Sequence, residues 1–345
     1  MNRRERVLAA LDYRPVDRMC LDIDVSGAGL YEHGEKLREL LETVEGDFHP
    51  ISDFPIPVPP PEAFDENGRY HEFRTDAWGV LWEYRIVGMH GHPYRRPLDD
   101  WRALDTLRPA EPVYPPKGTP AFDWLKKATD ELRKDYFKVA GWIGTFEVLH
   151  ALRKFDDVLA EVADGDENLV RLADRVEGVM ARDVRNLIDL DVDMITYAED
   201  FGMNTTMLIS PEDYRRFFKP RQARLIAPAR QAGKKIWMHS CGHVLPILED
   251  YREIGVDAIW PQVTAYDVRE LAARCRSLGI AVAVAPCRHK DMTVGSPDDV
   301  RRFLDFYAEA FRPWEGGSWF YIEIDNGFPF DNIVALVEFL AELRK

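Results

Sequence analysis

The stretch "VDAIWPQVTAYDVRELAARCRSLGIAVAVAP", residues 256–286, decides the fold. Its pattern predicts an apolar strand, then a helix that ends at Gly279, then a second apolar strand. Continuously apolar strands are typical of sheets that are covered on both faces, and strands that alternate with helices build parallel sheets. The stretch therefore predicts one strand–helix–strand unit of a parallel α/β fold.

The same alternation continues on both sides of this unit. From residue 192 onward we count five strand–helix units, and two of the helices begin with a Ser-Pro pair, at Ser210 and Ser296. Serine before a proline at the first helical position favours a helix start. The first half of the chain supplies three more predicted strands, at 18–24, 48–53 and 136–144. Eight strands is the number that closes a (β/α)8 TIM barrel, which is the fold we predict.

The interval 55–125 interrupts this alternation. It contains proline-rich connections and the stretch "DAWGVLWEYRIVGMHGHPYRRPL" (76–98), whose pattern predicts a β-hairpin. We interpret the interval as an insertion after the second strand. Residues 1–345 are then one barrel domain.

Composition limits the classes of function. The 345 residues carry a net charge of −15, which disfavours a nucleic-acid partner because phosphates are repelled. No apolar run approaches the roughly 18 residues that a membrane span needs, and the basic start of the chain predicts an amphipathic helix, not a signal peptide. The four cysteines lie far apart. We therefore predict a cytoplasmic enzyme whose cysteines serve metal binding or catalysis more readily than disulfides.

A histidine and a cysteine stand two residues apart in "WMHSCGHVLP" (237–246), at the end of a predicted strand. Alternate residues of an extended chain point to the same side, so His239 and Cys241 can reach one ion. In a TIM barrel the functional sites lie at the carboxyl ends of the strands. Imidazole nitrogen and thiolate sulfur are ligands that zinc prefers. The pair alone is a weak signal, because such residues also serve packing and capping.

Other polar residues end neighbouring predicted strands. Cys287 could supply a third metal ligand, and a three-ligand zinc site with an open position is typical of catalysis. Asp53 either braces the proline-rich turn that follows it or faces the barrel mouth as a functional carboxylate. Glu199 and Asp200 are adjacent, so only one of them is expected to face the site. We predict Asp53 and Glu199 as catalytic residues, with Glu199 near the open position of the metal.

Several longer stretches together carry a resemblance to a known family. They are "RPVDR" (14–18), "DAWGVLWEY" (76–84), "GTFEVLHALRKFDDVL" (144–159), "LISPEDYRRFFKP" (208–220), "HSCGHVLPILEDYREIGVDAIWPQV" (239–263) and "VGSPDDVRRFL" (294–304). The sequence resembles the uroporphyrinogen decarboxylase superfamily over nearly its whole length. The resemblance implies a (β/α)8 barrel, in agreement with the alternation of strands and helices.

Within that superfamily, the sequence looks closer to the cobalamin-dependent methyltransferase branch than to the decarboxylases. The decarboxylases keep an aspartate at the place of Asp53, but they also keep an arginine-rich stretch where this chain reads "DIDVSGAG" (22–29). A tetrapyrrole with many carboxylates needs cationic partners. The methyltransferases keep a His-x-Cys zinc motif, which His239 and Cys241 match, and transfer methyl groups between a corrinoid (cobalamin) protein and a thiol.

The resemblance leaves the third zinc ligand open. The methyltransferases place a cysteine after the last strand, where this chain reads "IDNG" (324–327). Asp325 or Glu323 could replace it, Glu199 or Asp200 could complete the shell, or Cys287 could reach in from one strand earlier. We favour His239, Cys241 and Cys287 as the zinc ligands, because a second thiolate suits zinc.

The resulting hypothesis is a zinc-dependent methyltransferase that moves a methyl group between a corrinoid protein and a thiol or similar acceptor. One alternative is a metal-free, uroporphyrinogen-decarboxylase-like lyase that uses Asp53. A second alternative is a non-catalytic barrel that binds a corrinoid or tetrapyrrole. The resemblance also allows a homodimer, because barrels of this family often form dimers.

Overall fold

The computed structural model describes residues 1–51 and 54–345, and its main feature is a parallel sheet of seven strands. Along this sheet the strand order is β1-β10-β9-β8-β7-β6-β5. The strands of the described residues are β1 (Leu21–Val25), β2 (Glu72–Thr75), β3 (Leu81–Tyr84), β4 (His92–Arg95), β5 (Val139–Ile143), β6 (Met194–Ala198), β7 (Lys235–Ser240), β8 (Ala258–Pro261), β9 (Ala281–Val284) and β10 (Ser318–Ile324).

Helices connect the parallel strands. They are α1 (Arg3–Leu11), α2 (Gly27–His33), α3 (Glu35–Leu41), α4 (Pro120–Leu132), α5 (Thr145–Leu152), α6 (Phe155–Asp164), α7 (Glu167–Asp189), α8 (Pro211–Asp213), α9 (Lys219–Gln231), α10 (Leu248–Ile254), α11 (Val268–Leu278), α12 (Pro297–Phe311) and α13 (Phe330–Leu343). Ser210 and Ser296 cap α8 and α12, as their Ser-Pro pairs predict, and Gly255 and Gly279 end α10 and α11 in the left-handed conformation. A π-helical turn joins α8 to α9.

The parallel sheet curls around a core of its own. One buried cluster takes a side chain from each of the seven strands or from the residue or two that precede it: Cys20, Phe137, Met194, Trp237, Ala258, Ala281 and Trp319. Residues at opposite ends of the strand order can share one cluster only if the sheet bends back on itself. Val7, Ala10 and Leu11 of α1 join this cluster. The outer faces of the strands pack against the helices in a second, larger cluster.

The predicted strand at 48–53 is not formed in residues 48–51, and Ser52 and Asp53 lie outside the described residues. Asp47 nevertheless lies between β1 and β5. Its backbone N–H donates to the carbonyl of Leu21 (2.9 Å), and its carbonyl accepts from the N–H of Phe137 (3.0 Å). Its carboxylate is committed to Arg6 and Arg344 and accepts the Leu21 N–H. A single residue therefore spans the gap between β1 and β5 where we expected a strand.

The interval 55–125 contains a second, separate sheet. Strands β2, β3 and β4 pair antiparallel in the order β2-β3-β4, so three strands form where we predicted a hairpin. Residues of this small sheet and of the turns between its strands line the large cavity described below. None of the helices in the described ranges combines the length and apolar character that a bilayer span requires.

Candidate active site

A cavity of about 1080 Å³ opens where the parallel strands end. Its floor comes from residues at or just after the carboxyl ends of β5 to β10, as expected for a barrel. Its lining includes Asp76, Trp78, Trp82, His90, His92, Trp142, Glu147, His150, Asp200, His239, Cys241, Trp260, Gln262, Cys287, Arg288, His289 and Glu323. The cavity is large enough for a small organic molecule.

Three potential metal ligands meet on the floor of this cavity. One ligand atom from each of Asp200, His239 and Cys241 lies within 4.8 Å of the other two. Oδ1 of Asp200 is 3.4 Å from Nε2 of His239, and Sγ of Cys241 is 3.5 Å from the same nitrogen. The structure thus brings together the predicted pair, His239 and Cys241, and adds Asp200 to it.

The orientation of His239 suits a metal ligand. Its Nδ1 lies 3.0 Å from the carbonyl oxygen of Trp260, which can only accept, so Nδ1 carries the proton. Nε2 therefore presents its lone pair to Asp200 and Cys241. Burial lowers the pKa of His239, despite the opposing charge of Asp200, and keeps the ring neutral. In most metal-binding histidines, a hydrogen bond from the ring nitrogen that does not bind the metal fixes the tautomer in this way.

The loops that carry Asp200 and Cys241 lie in backbone contact. A Cβ on Gly202 would lie 2.4 Å from the backbone of Gly242, and a Cβ on Gly242 would lie 2.2 Å from that of Gly202. The contact includes hydrogen bonds from Gly202 N–H to the Cys241 carbonyl (3.2 Å) and from Cys241 N–H to Oδ1 of Asp200 (2.8 Å). Two glycines therefore allow the close approach that holds the two ligands together.

The donor set of this cluster fits zinc. Nitrogen from His239, sulfur from Cys241 and oxygen from Asp200 are all ligands that zinc accepts, and three protein ligands leave one position open. Burial, and then the charge of Asp200, raises the pKa of the Cys241 thiol to about 12. A divalent cation opposes both effects and deprotonates a coordinating thiol. Asp200 and Cys241, the two neighbours of Nε2 of His239, thus form a site that favours a cation.

Cys287 is not brought into this cluster. It lines the same cavity and is half-buried, but its sulfur accepts the backbone N–H of Lys290 at 3.4 Å, at the start of a π-helical turn. Its own N–H donates to Asp291 (2.8 Å). These local bonds hold the thiol in a turn of its own. The structure thus groups Asp200, and not Cys287, with His239 and Cys241. The role of Cys287 as a zinc ligand stays a prediction.

Glu199 points away from the cavity, as adjacent residues of an extended segment must when Asp200 points into it. Its buried carboxylate accepts the backbone N–H groups of Thr145 (2.9 Å) and Phe146 (2.7 Å) and so caps the N-terminus of α5. Burial raises the pKa of Glu199 to about 8, although these two hydrogen bonds act in the opposite direction. The structure thus places Asp200, and not Glu199, beside His239 and Cys241, and the catalytic role of Glu199 stays a prediction.

Glu323 and Asp325, two other candidate metal ligands from the sequence, both contact Arg288. Glu323 forms an ion pair with Arg288, and Asp325 lies 2.9 Å from the same guanidinium. Asp325 also accepts a hydrogen bond from the Ser26 hydroxyl at 2.6 Å. Neither carboxylate joins the three-ligand cluster. Asp53, the remaining candidate, lies outside the described residues, and its predicted role stays a prediction.

Some residues of the site were not predicted from the sequence. Trp78, Trp82, Trp142 and Trp260 would ordinarily be read as packing residues, yet all of them line the cavity. Glu147 supports the cluster, because its Oε1 accepts the backbone N–H of Asp200 at 3.0 Å. The one available signal for Glu147 was its place in the first turn of a helix directly after a strand.

Comparison with known proteins gives both a sequence match and a structural likeness. The family model for uroporphyrinogen decarboxylase (URO-D) matches residues 79–284. Uroporphyrinogen decarboxylases from two strains of Thermus thermophilus are 24% identical over 197 residues, which is 55% of each chain. The present chain thus spans about half the length of the curated relatives it matches. A solved methyltransferase from Methanosarcina mazei has a TM-score of 0.62 with 16% identity over 100% of both chains, and it therefore shares the fold.

Proposed function

Because this chain belongs to the uroporphyrinogen decarboxylase (URO-D) family, we propose a function for it within that family: a zinc-dependent methyltransferase. It would move a methyl group between a corrinoid protein and a thiol or similar acceptor. The observation that carries the proposal is the cluster of Asp200, His239 and Cys241, whose ligand atoms lie within 4.8 Å of one another on the floor of the cavity. A nitrogen, a sulfur and an oxygen donor that converge in this way are a ligand set that zinc accepts.

The residues of the cluster would divide the work. His239 and Cys241 would hold the metal, with the His239 ring fixed by the Trp260 carbonyl. Asp200 would be the third ligand, and Glu147 would position it through the backbone N–H. Zinc, when bound, would lower the pKa of an acceptor thiol and hold it as a thiolate. The surrounding cavity would orient the acceptor and exclude water from it.

Metal content and turnover test the proposal together. We expect one zinc per chain in the wild-type protein and its loss in the His239→Ala and Cys241→Ser variants. Methylcobalamin and 2-mercaptoethanol serve as probes, and we expect zinc-dependent loss of the methyl group from cobalt in the wild type but not in the His239 and Cys241 variants. His243→Asn is a matched control, since His243 contacts Ala265 and Tyr266 outside the cluster. A metal-free protein that remains fully active would contradict the proposal.

The decarboxylase relatives support a second candidate, a carboxy-lyase without metal. Uroporphyrinogen carries many carboxylates, so its binding needs cationic side chains. Among the described residues that line the cavity, four carboxylates stand against one guanidinium, that of Arg288. Decarboxylation of uroporphyrinogen by zinc-depleted protein would favour this second function.

We further propose that residues 1–345 form one (β/α)8 barrel domain, with 55–125 as an insertion after the second strand position. The place of Asp47 between β1 and β5 supports this, since it lies where the chain would complete the ring. We also propose that the enzyme works in the cytoplasm, where Cys241 stays reduced. Light scattering on the purified protein would distinguish a monomer from a homodimer.

A further inference from the structure

Trp142 is a cavity-lining side chain that borders the cluster, next to His239. The pairing of β5 with β6 shifts its register between Ala140 and Ile143, so the strand bulges at this point. Gly141 takes a φ of +107° in the bulge, and its N–H donates to the Tyr114 hydroxyl at 2.9 Å. A bulge redirects the side chains beside it. It places Trp142 in the cavity lining instead of the packed core.

Trp142 presents aromatic surface next to the proposed metal. Its ring centre lies 5.7 Å from that of His239 and 6.2 Å from that of Trp260. Despite these contacts, 56% of its surface is exposed. The exposed part of Trp142 belongs to the cavity lining. Trp142 therefore offers a free indole surface to whatever enters the cavity.

The charges of the cavity wall are mostly negative. Asp200 belongs to the metal cluster. Asp76 accepts hydrogen bonds from the Trp78 and Val80 N–H groups and from the Trp82 indole. Arg288, the one guanidinium among the described lining residues, is already matched by two carboxylates. The wall as a whole therefore repels anions and attracts cations.

Glu147 contributes a carboxylate to the same cavity lining as Trp142. It follows Trp142 by five residues, in the first turn of α5, where one oxygen accepts the Asp200 N–H and the other lies 3.2 Å from His150. Glu147 and Trp142 therefore both border the metal cluster, Glu147 through Asp200 and Trp142 through His239.

We infer that the small-molecule partner of this cavity is an organic cation, whose alkylated ammonium group lies against Trp142 and is balanced by Glu147. The inference names the substrate class of the proposed methyltransferase and so rests on that proposal. An indole face attracts such a cation through its quadrupole, and a desolvated site strengthens the attraction. A neutral molecule of the same shape gains only the apolar contact.

Calorimetric titration of the zinc-loaded protein tests this inference without turnover. The probes are choline and its neutral isostere 3,3-dimethylbutan-1-ol. We expect choline to bind about tenfold more tightly than the alcohol, in line with the strength of cation–π contacts in partly desolvated sites. Trp142→Leu and Glu147→Gln should each remove most of the preference for choline, and Trp142→Phe should keep part of it.

Controls separate this inference from folding and from the metal proposal. Trp124→Leu is the matched variant, since Trp124 is 72% exposed on α4 and is not part of the cavity lining; it should leave both affinities unchanged. Equal affinities for choline and the alcohol in the zinc-loaded wild type would overturn the inference alone. A choline preference in a protein that binds no zinc would support cation recognition and overturn the proposed methyltransferase.

Discussion

Oδ1 of Asp200 lies 3.4 Å from Nε2 of His239 and accepts the backbone N–H of Cys241 at 2.8 Å. One carboxylate is thus in contact with both residues of the His-x-Cys pair. The adjacent carboxylate, Glu199, faces the other way and caps α5. Asp200 lies in the proposed metal cluster and Glu199 caps a helix, so substitutions at the two positions should have different effects.

Asp200→Asn should weaken zinc binding by about 10- to 100-fold, because a neutral amide replaces the negative ligand, although its oxygen can still accept the Cys241 N–H. Glu199→Gln should keep one zinc per chain. It should lower the free energy of unfolding by about 1–3 kcal/mol, since the two buried N–H groups are accepted by two different oxygens and the amide offers only one. Competition with a chelating dye measures the first effect, and urea unfolding measures the second. Zinc loss in the Glu199 variant alone would contradict the assignment.

The two cavity cysteines should differ in the same assay. We expect Cys241→Ser to lose zinc, because serine is not a comparable ligand for this metal. Cys287→Ser should keep it, since the Cys287 sulfur accepts a backbone N–H in its own turn. Equal zinc loss in both variants would restore Cys287 as a ligand and remove Asp200 from that role.

Gly202→Ala should disturb the site through the backbone alone. Its new Cβ would lie 2.4 Å from the backbone of Gly242, so the loops that carry Asp200 and Cys241 must separate. We expect a lower melting temperature and weaker zinc binding. Gly178→Ala is the matched control, because its Cβ would meet nothing within 4 Å in the middle of α7. That variant should gain about 0.5–1 kcal/mol in stability, and a Gly202 variant that behaves like it would refute the argument.

His49 should make stability depend on pH. Burial acts against its protonation, but Asp22 (3.0 Å) and the Pro50 carbonyl (3.0 Å) raise its pKa to about 9. A raised histidine pKa means that the contribution of His49 to stability is complete below about pH 6.5 and is lost as the pH rises through about 9.

Urea unfolding of the wild type and of His49→Gln at pH 6 and pH 9.5 checks this sign. We expect the wild type to exceed the variant by about 2 kcal/mol at pH 6 and by much less at pH 9.5. An unchanged difference between the two proteins at both pH values would show that the histidine is not charged in the folded state.

The alternation of apolar strands and capped helices was enough to predict seven of the strands in the described residues, because a buried parallel strand has an unmistakable pattern. It failed at 48–51, the described part of the predicted strand 48–53. Among the described residues, the preceding residue, Asp47, bonds to the residues at β1 and just before β5 instead. The pattern carries no information about how many residues such a connection uses.

The site was only partly predictable for a similar reason. Alternation along an extended chain correctly put His239 and Cys241 on one side, but it could not tell which of Glu199 and Asp200 shares that side. The bulge at Trp142 includes a hydrogen bond from Gly141 to Tyr114, which lies on a distant segment. The turn at Cys287 is held by local bonds to Asp291 and Lys290, which no periodic pattern in the sequence marks. Only the folded chain shows these partners.

X-ray absorption at the zinc edge of the metal-loaded protein tests the central claim most directly. The account predicts one zinc per chain with a single sulfur at about 2.3 Å and nitrogen or oxygen ligands at about 2.0–2.2 Å, and loss of the sulfur signal in Cys241→Ser. A shell without sulfur, a shell with two sulfurs, or a protein that retains no zinc would contradict it.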